Sequence, residues 1–258
     1  MTPDQYLAQL LQNYEARANQ QQALALIQAL SPDLRAWAGN LLFEIIPAGS
    51  YAKGTAIAGL SDLDILVSIS SQYTGTLEEM YWSLHRSLDA SGYSPRAQNV
   101  SVGINAGNWK VDIVPAKRQP DLLTFNHSLW SKKSGTHRTT NIHRQIATVS
   151  QSRHKTEIKL VKIWKMRHGL EFPSYLLETT VMEALRGTVL PIFAPPSLAN
   201  NFMRVLRFIQ DELPNRQIID PVKQSNILSD ELTVEEKRRL SQQAGTSIAE
   251  PYWENIVW

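Results

Sequence analysis

Cysteine is absent from the chain, which excludes a disulfide framework and thiolate-bound zinc or iron–sulfur sites. Any metal must sit on oxygen or histidine. The six histidines show no His-Glu-x-x-His or comparable ligand spacing, so they read as structural or surface residues. Long hydrophobic runs are also missing, because charged or polar residues interrupt each one before the roughly 20 residues that span a bilayer. Residues Met1 to Leu30 lack the basic-then-apolar layout of a secretion signal. The expectation is a soluble cytoplasmic protein with no membrane partner. No internal repeat or low-complexity tract appears, and 43% hydrophobic residues with seven Trp suit an ordered globular chain. A length of 258 residues allows one large domain or two small lobes.

Acids are scarce in one place. From Lys132 to Arg167 there are ten Lys or Arg against a single acid, Glu157, while the remainder carries 16 bases and 23 acids. A net charge of +2 thus hides about +9 in this segment and about −7 elsewhere. Such asymmetry suits a polyanion site, with a solvated basic face as the competing reading.

Apolar residues at helical spacing over Pro3 to Leu30 predict one or two amphipathic helices, and Ser31-Pro32 reads as the cap and first turn of another. Strands are expected at Leu42 to Pro47 and Leu63 to Ile69, with a turn and short helix in Gly49 to Gly59 between them. Leu77 to Leu88 fits a helix, and Asn99 to Ile104 with Trp109 to Val114 fits a hairpin. After Pro120 strand signals fade, and helices are expected at Lys155 to His168, Tyr175 to Arg186, Leu198 to Glu212 and Thr233 to Ala244. Pro191, Pro195, Pro196, Pro214 and Pro221 mark connecting loops.

The chemistry centres on Gly49-Ser50, followed after ten residues by Ser61-Asp62-Leu63-Asp64. On a strand Asp62 and Asp64 point the same way, about 6.5–7 Å apart. Two carboxylates facing one place need compensating positive charge, and hard cations such as magnesium prefer oxygen ligands. A third acid, Asp112, interrupts the apolar Val111-Asp112-Ile113-Val114. Three strand-borne acids can hold two cations about 3.5–4 Å apart, the arrangement that serves in-line displacement at phosphorus. Asp112 is the candidate for the side of the attacking hydroxyl. Gly49 lets backbone approach a phosphate, and Ser50 with neighbouring amides can donate to its oxygens. Alone, an Asp-x-Asp pair is as readily a strand cap; the full combination is not.

These residues resemble the nucleotidyltransferases related to DNA polymerase beta, in which Gly-Ser, an Asp-x-Asp pair and a third Asp form the nucleotide-binding active site. The runs Leu160-Val161-Lys162-Ile163-Trp164, Pro173-Ser174-Tyr175-Leu176-Leu177-Glu178 and Ile218-Ile219-Asp220-Pro221 resemble the helical lobe of oligoadenylate synthases and of bacterial cyclic GMP-AMP synthase-like (CD-NTase) enzymes. The resemblance implies an α/β (α+β) fold with a mixed-sheet catalytic lobe at 1–145, including the N-terminal helices, and a helical nucleotide-binding lobe at 146–258. It implies two Mg2+ or Mn2+ ions on Asp62, Asp64 and Asp112, and it assigns Lys162, Ser174 and Tyr175 to the nucleoside triphosphate. Lys155, Lys159 and Lys162 share one helix face, which as readily reads as a solubilising stripe. The cysteine-containing metal ribbon of the animal DNA sensor is missing.

The function implied is template-independent joining of nucleoside triphosphates into a linear or cyclic oligonucleotide second messenger, with release of pyrophosphate and a role in antiviral (antiphage) defence. Transfer to an RNA 3′ end or a protein hydroxyl is the alternative, and a binding module with a dead site is disfavoured by the intact acids. A protein or nucleic-acid activator stays open as a partner. His127, His137 and Arg138 lie in a polar segment that either lines the site or does not. Trp130, Trp164, Trp253 and Trp258 read as core or packing residues.

Overall fold

The computed structural model describes residues 1–15, 20–121, 124–187 and 197–258. In chain order the elements are α1 (Pro3–Glu15), α2 (Gln20–Ala38), β1 (Leu42–Ala48), α3 (Gly49–Lys53), β2 (Leu63–Ile69), α4 (Leu77–Ala90), β3 (Arg96–Ala97), β4 (Val102–Ala106), β5 (Trp109–Arg118), β6 (His127–Ser131) and β7 (Thr136–Thr140). The rest is helical: α5 (Ile142–Ser150), α6 (Lys155–Arg167), α7 (Ser174–Ala184), α8 (Leu198–Asp211), α9 (Val234–Ala249) and α10 (Trp253–Ile256). Two compact units result. A helical unit gathers Met1–Ala18, Thr55–Leu60 and Thr148–Trp258, and a sheet unit gathers Asn19–Gly54 and Ser61–Ala147.

In the sheet unit, β2 is buried at every position except the half-buried Asp64. A strand covered on both faces needs a near-continuous apolar run, and Leu63 to Ile69 supplies it. The order is β1-β2-β5-β4-β3, with β6 pairing β5 and β7 pairing β6. Only β2 and β5 are parallel among the described pairs, so the sheet is mixed. Between them α4 buries Met80, Tyr81, Leu84 and Leu88, the apolar side expected of this helix. Its first turn is closed by a capping box, in which the Glu79 amide donates to Thr76 Oγ1 at 3.1 Å and the Thr76 amide to Glu79 Oε2 at 2.7 Å. The hairpin forms with Ala106 opposite Trp109, turning through Gly107 at φ 58°.

The helical unit is built on Trp164 and Phe172 in and after α6, Leu176, Leu177 and Val181 of α7, and Phe202, Val205 and Leu206 of α8, all fully buried. Leu7, Leu10 and Leu11 of α1 join this core. The Trp164 indole donates to Ser247 Oγ at 2.9 Å, which answers the one polar atom this ring brings inside. No described helix is long and apolar enough to cross a membrane.

Two sequence expectations are overturned. Pro32 does not open a new helix but lies inside α2, whose buried face Ala23, Ile27, Leu30, Leu34 and Ala38 runs straight through it. Burial along that stripe outweighs the lost backbone bond, and Ser31 Oγ donates to the Ile27 carbonyl at 2.7 Å. Strands also do not end at Pro120, since β6 and β7 extend the sheet. Their signal is weak because the inward positions of β6 include His127 and Ser131, while β7 is a polar edge strand. The loops expected at Pro191, Pro195 and Pro196 lie outside the described residues.

His127 is a core residue of the sheet unit, 1% exposed, with Nε2 2.7 Å from the hydroxyl of buried Ser68. Burial, and then the charges of His143 and Arg118, push its pKa down to about 4 from the usual 6.5. A depressed folded-state value means its stabilising effect is complete above the unfolded pKa and is lost as pH falls toward the folded one. Denaturant unfolding at pH 7 and pH 4.5 is expected to show a loss of about 2 kcal/mol from this residue alone. His127→Asn is expected to remove that increment of the pH slope.

Candidate active site

Strand register assembles the site within the sheet unit. Ala48 of β1 is opposite Asp64 of β2, Asp64 is opposite Asp112 of β5, and Asp112 is opposite Gly103 of β4. Residues opposite one another on neighbouring strands face the same way, so the two carboxylates lie side by side in one row. Both are half-buried. Asp62, exposed and just ahead of β2, is near enough for its charge to act on Asp112 and on Tyr51.

Gly49 follows Ala48 at φ 60°, a backbone conformation that favours glycine. A Cβ there would fall 1.7 Å from Asp64 Oδ2, so the missing side chain is the space the carboxylate fills. Ser50 sits in the first turn of α3. The Tyr51 ring packs on Trp109 at 5.4 Å, and burial, then the Asp62 charge, raise its hydroxyl pKa.

Burial raises the Asp112 pKa above the usual carboxylate value, and the Asp62 charge raises it further. Opposing these are a hydrogen bond from Gln98 and the charges of Arg96 and Lys110. Repelling carboxylates on oxygen-only donors fit a hard divalent cation, which would relieve that repulsion. Asp62, Asp64 and Asp112 are the residues that would hold it. Among the described residues no three His, Cys, Asp or Glu side chains already form a closed ligand set.

Lys162, Ser174 and Tyr175 belong to the helical unit. Lys162 Nζ lies 2.7 Å from Glu178 Oε1 and 2.9 Å from Thr55 Oγ1, and Thr55 Oγ1 donates to the same Glu178 oxygen at 2.9 Å. Glu178 is 1% exposed. Ser174 opens α7 and is exposed. The Tyr175 hydroxyl donates to Asp220 Oδ1 at 3.1 Å, and burial followed by the Asp220 charge raises its pKa. Asp220 also accepts from the Val222 amide at 2.8 Å, which closes the turn at Pro221. Gln98 and Thr55 carried no signal in the sequence, since a lone amide and a lone hydroxyl have no distinctive spacing.

The basic segment divides between the two units. Several of its cations make internal contacts: Lys155 donates to the Ser150 carbonyl at 2.8 Å, Lys162 pairs with Glu178, and Arg167 stacks over Tyr14 and Trp258. His168 Nε2 meets the Ile256 carbonyl at 2.8 Å, a packing role.

Residues 1–155 match the family described as Second Messenger Oligonucleotide or Dinucleotide Synthetase domain. A curated relative, cyclic AMP-AMP-AMP synthase of Escherichia coli (strain MS 115-1), is 24% identical over 163 residues, 58% of this chain and 50% of the relative. The match thus spans half of that relative's length. Among solved structures, E. coli MS115-1 CdnC with ATP has a TM-score of 0.75 at 20% identity, covering 99% of this chain and 97% of the other. The complex of the same CdnC with HORMA-deltaN gives 0.65 at 22%, covering 92% and 89%. Bradyrhizobium diazoefficiens CD-NTase CdnG with GTP gives 0.77 at 14%, covering 96% and 90%. At these identities the structures establish a shared nucleotidyltransferase fold.

Lys162→Ala removes the ammonium that neutralises a fully buried carboxylate, and such pairs are costly to break. The variant is expected to lose about 3 kcal/mol of unfolding free energy. Lys162→Ala combined with Glu178→Gln is expected to recover part of that loss, measured by denaturant titration.

Proposed function

The chain belongs to the Second Messenger Oligonucleotide or Dinucleotide Synthetase domain family, and we propose on that footing that it is a nucleotidyltransferase joining nucleoside triphosphates without a template into a linear or cyclic oligonucleotide signal. The observation that carries this reading is the placement of Asp64 and Asp112 on directly opposite residues of parallel strands, with Asp62 beside them. A sheet unit has no structural need for two adjacent half-buried carboxylates. A divalent-cation site at a reacting phosphate gives them one.

Asp62, Asp64 and Asp112 are assigned to two Mg2+ or Mn2+ ions, which when bound would lower the pKa of the attacking hydroxyl and offset charge on the transferring phosphoryl group. In the reaction the hydroxyl oxygen forms a bond to the α-phosphorus and the bond to the bridging oxygen of pyrophosphate breaks. That electron pair leaves with pyrophosphate, and the hydroxyl proton passes to solvent. Asp112, half-buried on β5, is assigned to the side of the attacking hydroxyl. Gly49 keeps the Asp64 carboxylate seated, and Ser50 is assigned to the phosphate tail. Lys162, Ser174 and Tyr175 are assigned to the triphosphate on the sequence resemblance alone.

A cytoplasmic location and a role in antiphage defence go with this reading. The ATP and GTP complexes of similar proteins support nucleoside triphosphates as substrates, with ATP the first to test. The CdnC complex with HORMA-deltaN supports a protein partner as activator.

Incubation with the four ribonucleoside triphosphates and Mg2+ or Mn2+, read by mass spectrometry before and after phosphatase, is expected to reveal an oligonucleotide product. Asp62→Ala and Asp64→Ala are each expected to bring turnover below about one-hundredth of the parent rate with the fold intact by circular dichroism. Product formation at the parent rate by either variant would remove the assignment.

A further inference from the structure

The turn between β3 and β4 brings a neutral side chain onto the site. Gln98 Nε2 donates to Asp112 Oδ1 at 2.9 Å, and Ser101 Oγ donates to Gln98 Oε1 at 2.7 Å. This arrangement leaves no ambiguity about which end of the amide is which. An ionised carboxylate only accepts, so the amide NH2 must face Asp112 and its oxygen must face the Ser101 hydroxyl.

Three further contacts hold the turn that carries this side chain. The Gln98 main-chain N–H donates to the Ser101 carbonyl at 3.0 Å, tightening the turn. From the buried face of α4, the Tyr81 hydroxyl lies 2.9 Å from both the Gln98 and the Ser101 carbonyls. Gly103, opposite Asp112 in the register, leaves the volume in which the amide sits. A Cβ on Gly103 would lie 2.7 Å from Gln98 Nε2 and 3.2 Å from Asp112 Oδ1.

We propose that Gln98, oriented by Ser101, is the positioning residue for Asp112: it commits Oδ1 and so fixes the plane of the carboxylate and the direction of Oδ2. The inference rests on the nucleotidyltransferase reading of Asp112. The chemistry favours an amide over a cationic donor. Lys or Arg in this place would hold the carboxylate equally well but would also neutralise it, and the site would lose attraction for a divalent ion. A hydrogen bond from a neutral group fixes geometry and leaves the charge available.

The test uses the full chain and Mn2+ as the probe. Gln98→Leu keeps the side chain's size and deletes both amide contacts. Free Mn2+ followed by electron paramagnetic resonance, with a non-hydrolysable ATP analogue present, is expected to show affinity reduced about 10- to 100-fold. In turnover kcat is expected to fall by a similar factor while KM for ATP moves less than about twofold. Ser101→Ala, a milder change, is expected to cost about threefold in the parent and nothing further in the Gln98→Leu background, since it acts only through Gln98. Parental Mn2+ affinity and kcat in Gln98→Leu would overturn the proposal. So would a loss of activity that follows a drop in Tm while Mn2+ affinity stays unchanged, which marks a merely structural hydrogen bond. If Gln98→Leu does not fold, Ser101→Ala decides alone: parental affinity and kcat in it would also overturn the proposal. An Asp62→Ala control that still turns over would instead remove the underlying assignment of the site, so the two failures are separable.

Discussion

Two carboxylates in register on adjacent strands repel, and the sheet unit is arranged so that this repulsion is held rather than relieved. Asp64 and Asp112 lie side by side in a row that begins at Ala48 and runs through Gly103 to Arg96 of β3. Glycine borders both acids: Gly49 stands where a side chain would strike Asp64, and Gly103 where one would strike Asp112 and its amide partner. Apart from Asp64 and Ser68, strand β2 is apolar and buried, so neither acid can turn away into the core without burying its charge. Everything proposed for the protein's chemistry follows from that enforced closeness.

The helical unit carries charge on a different principle. Lys162 and Glu178 neutralise each other, with Thr55 bridging both, and the group is buried against α7. A mutually satisfied pair of this kind specifies packing. The same lysine is the one that resemblance assigns to a triphosphate, so its side chain answers to a structural partner as well as to that proposed ligand.

Local pattern made much of this legible. Leu63 to Ile69 was readable as a buried strand because its apolar run is uninterrupted save for Asp64 and Ser68, and α4 because its apolar side repeats at 3.6 residues. Asp62, Asp64 and Asp112 stood out through their combination with Gly49-Ser50, since an Asp-x-Asp pair alone is as readily a strand cap. What stayed hidden was set by partners distant in the chain. Periodicity gives α1 an apolar face but does not say that Leu7, Leu10 and Leu11 pack with the C-terminal helices. Nor does it show that burial carries α2 through Pro32, that polar His127 and Ser131 are interior, or that Gln98 reaches Asp112.

The parallel pairing of β2 with β5 has one more implication. Parallel neighbours cannot be joined by a tight turn, and here α4, β3 and β4 intervene, so the two acids come from well-separated stretches of chain. Their meeting is a non-local contact, whose loop-closure entropy must be met before the pairing forms. A partly unravelled molecule, in which β2 and β5 have parted, therefore has no assembled row of carboxylates.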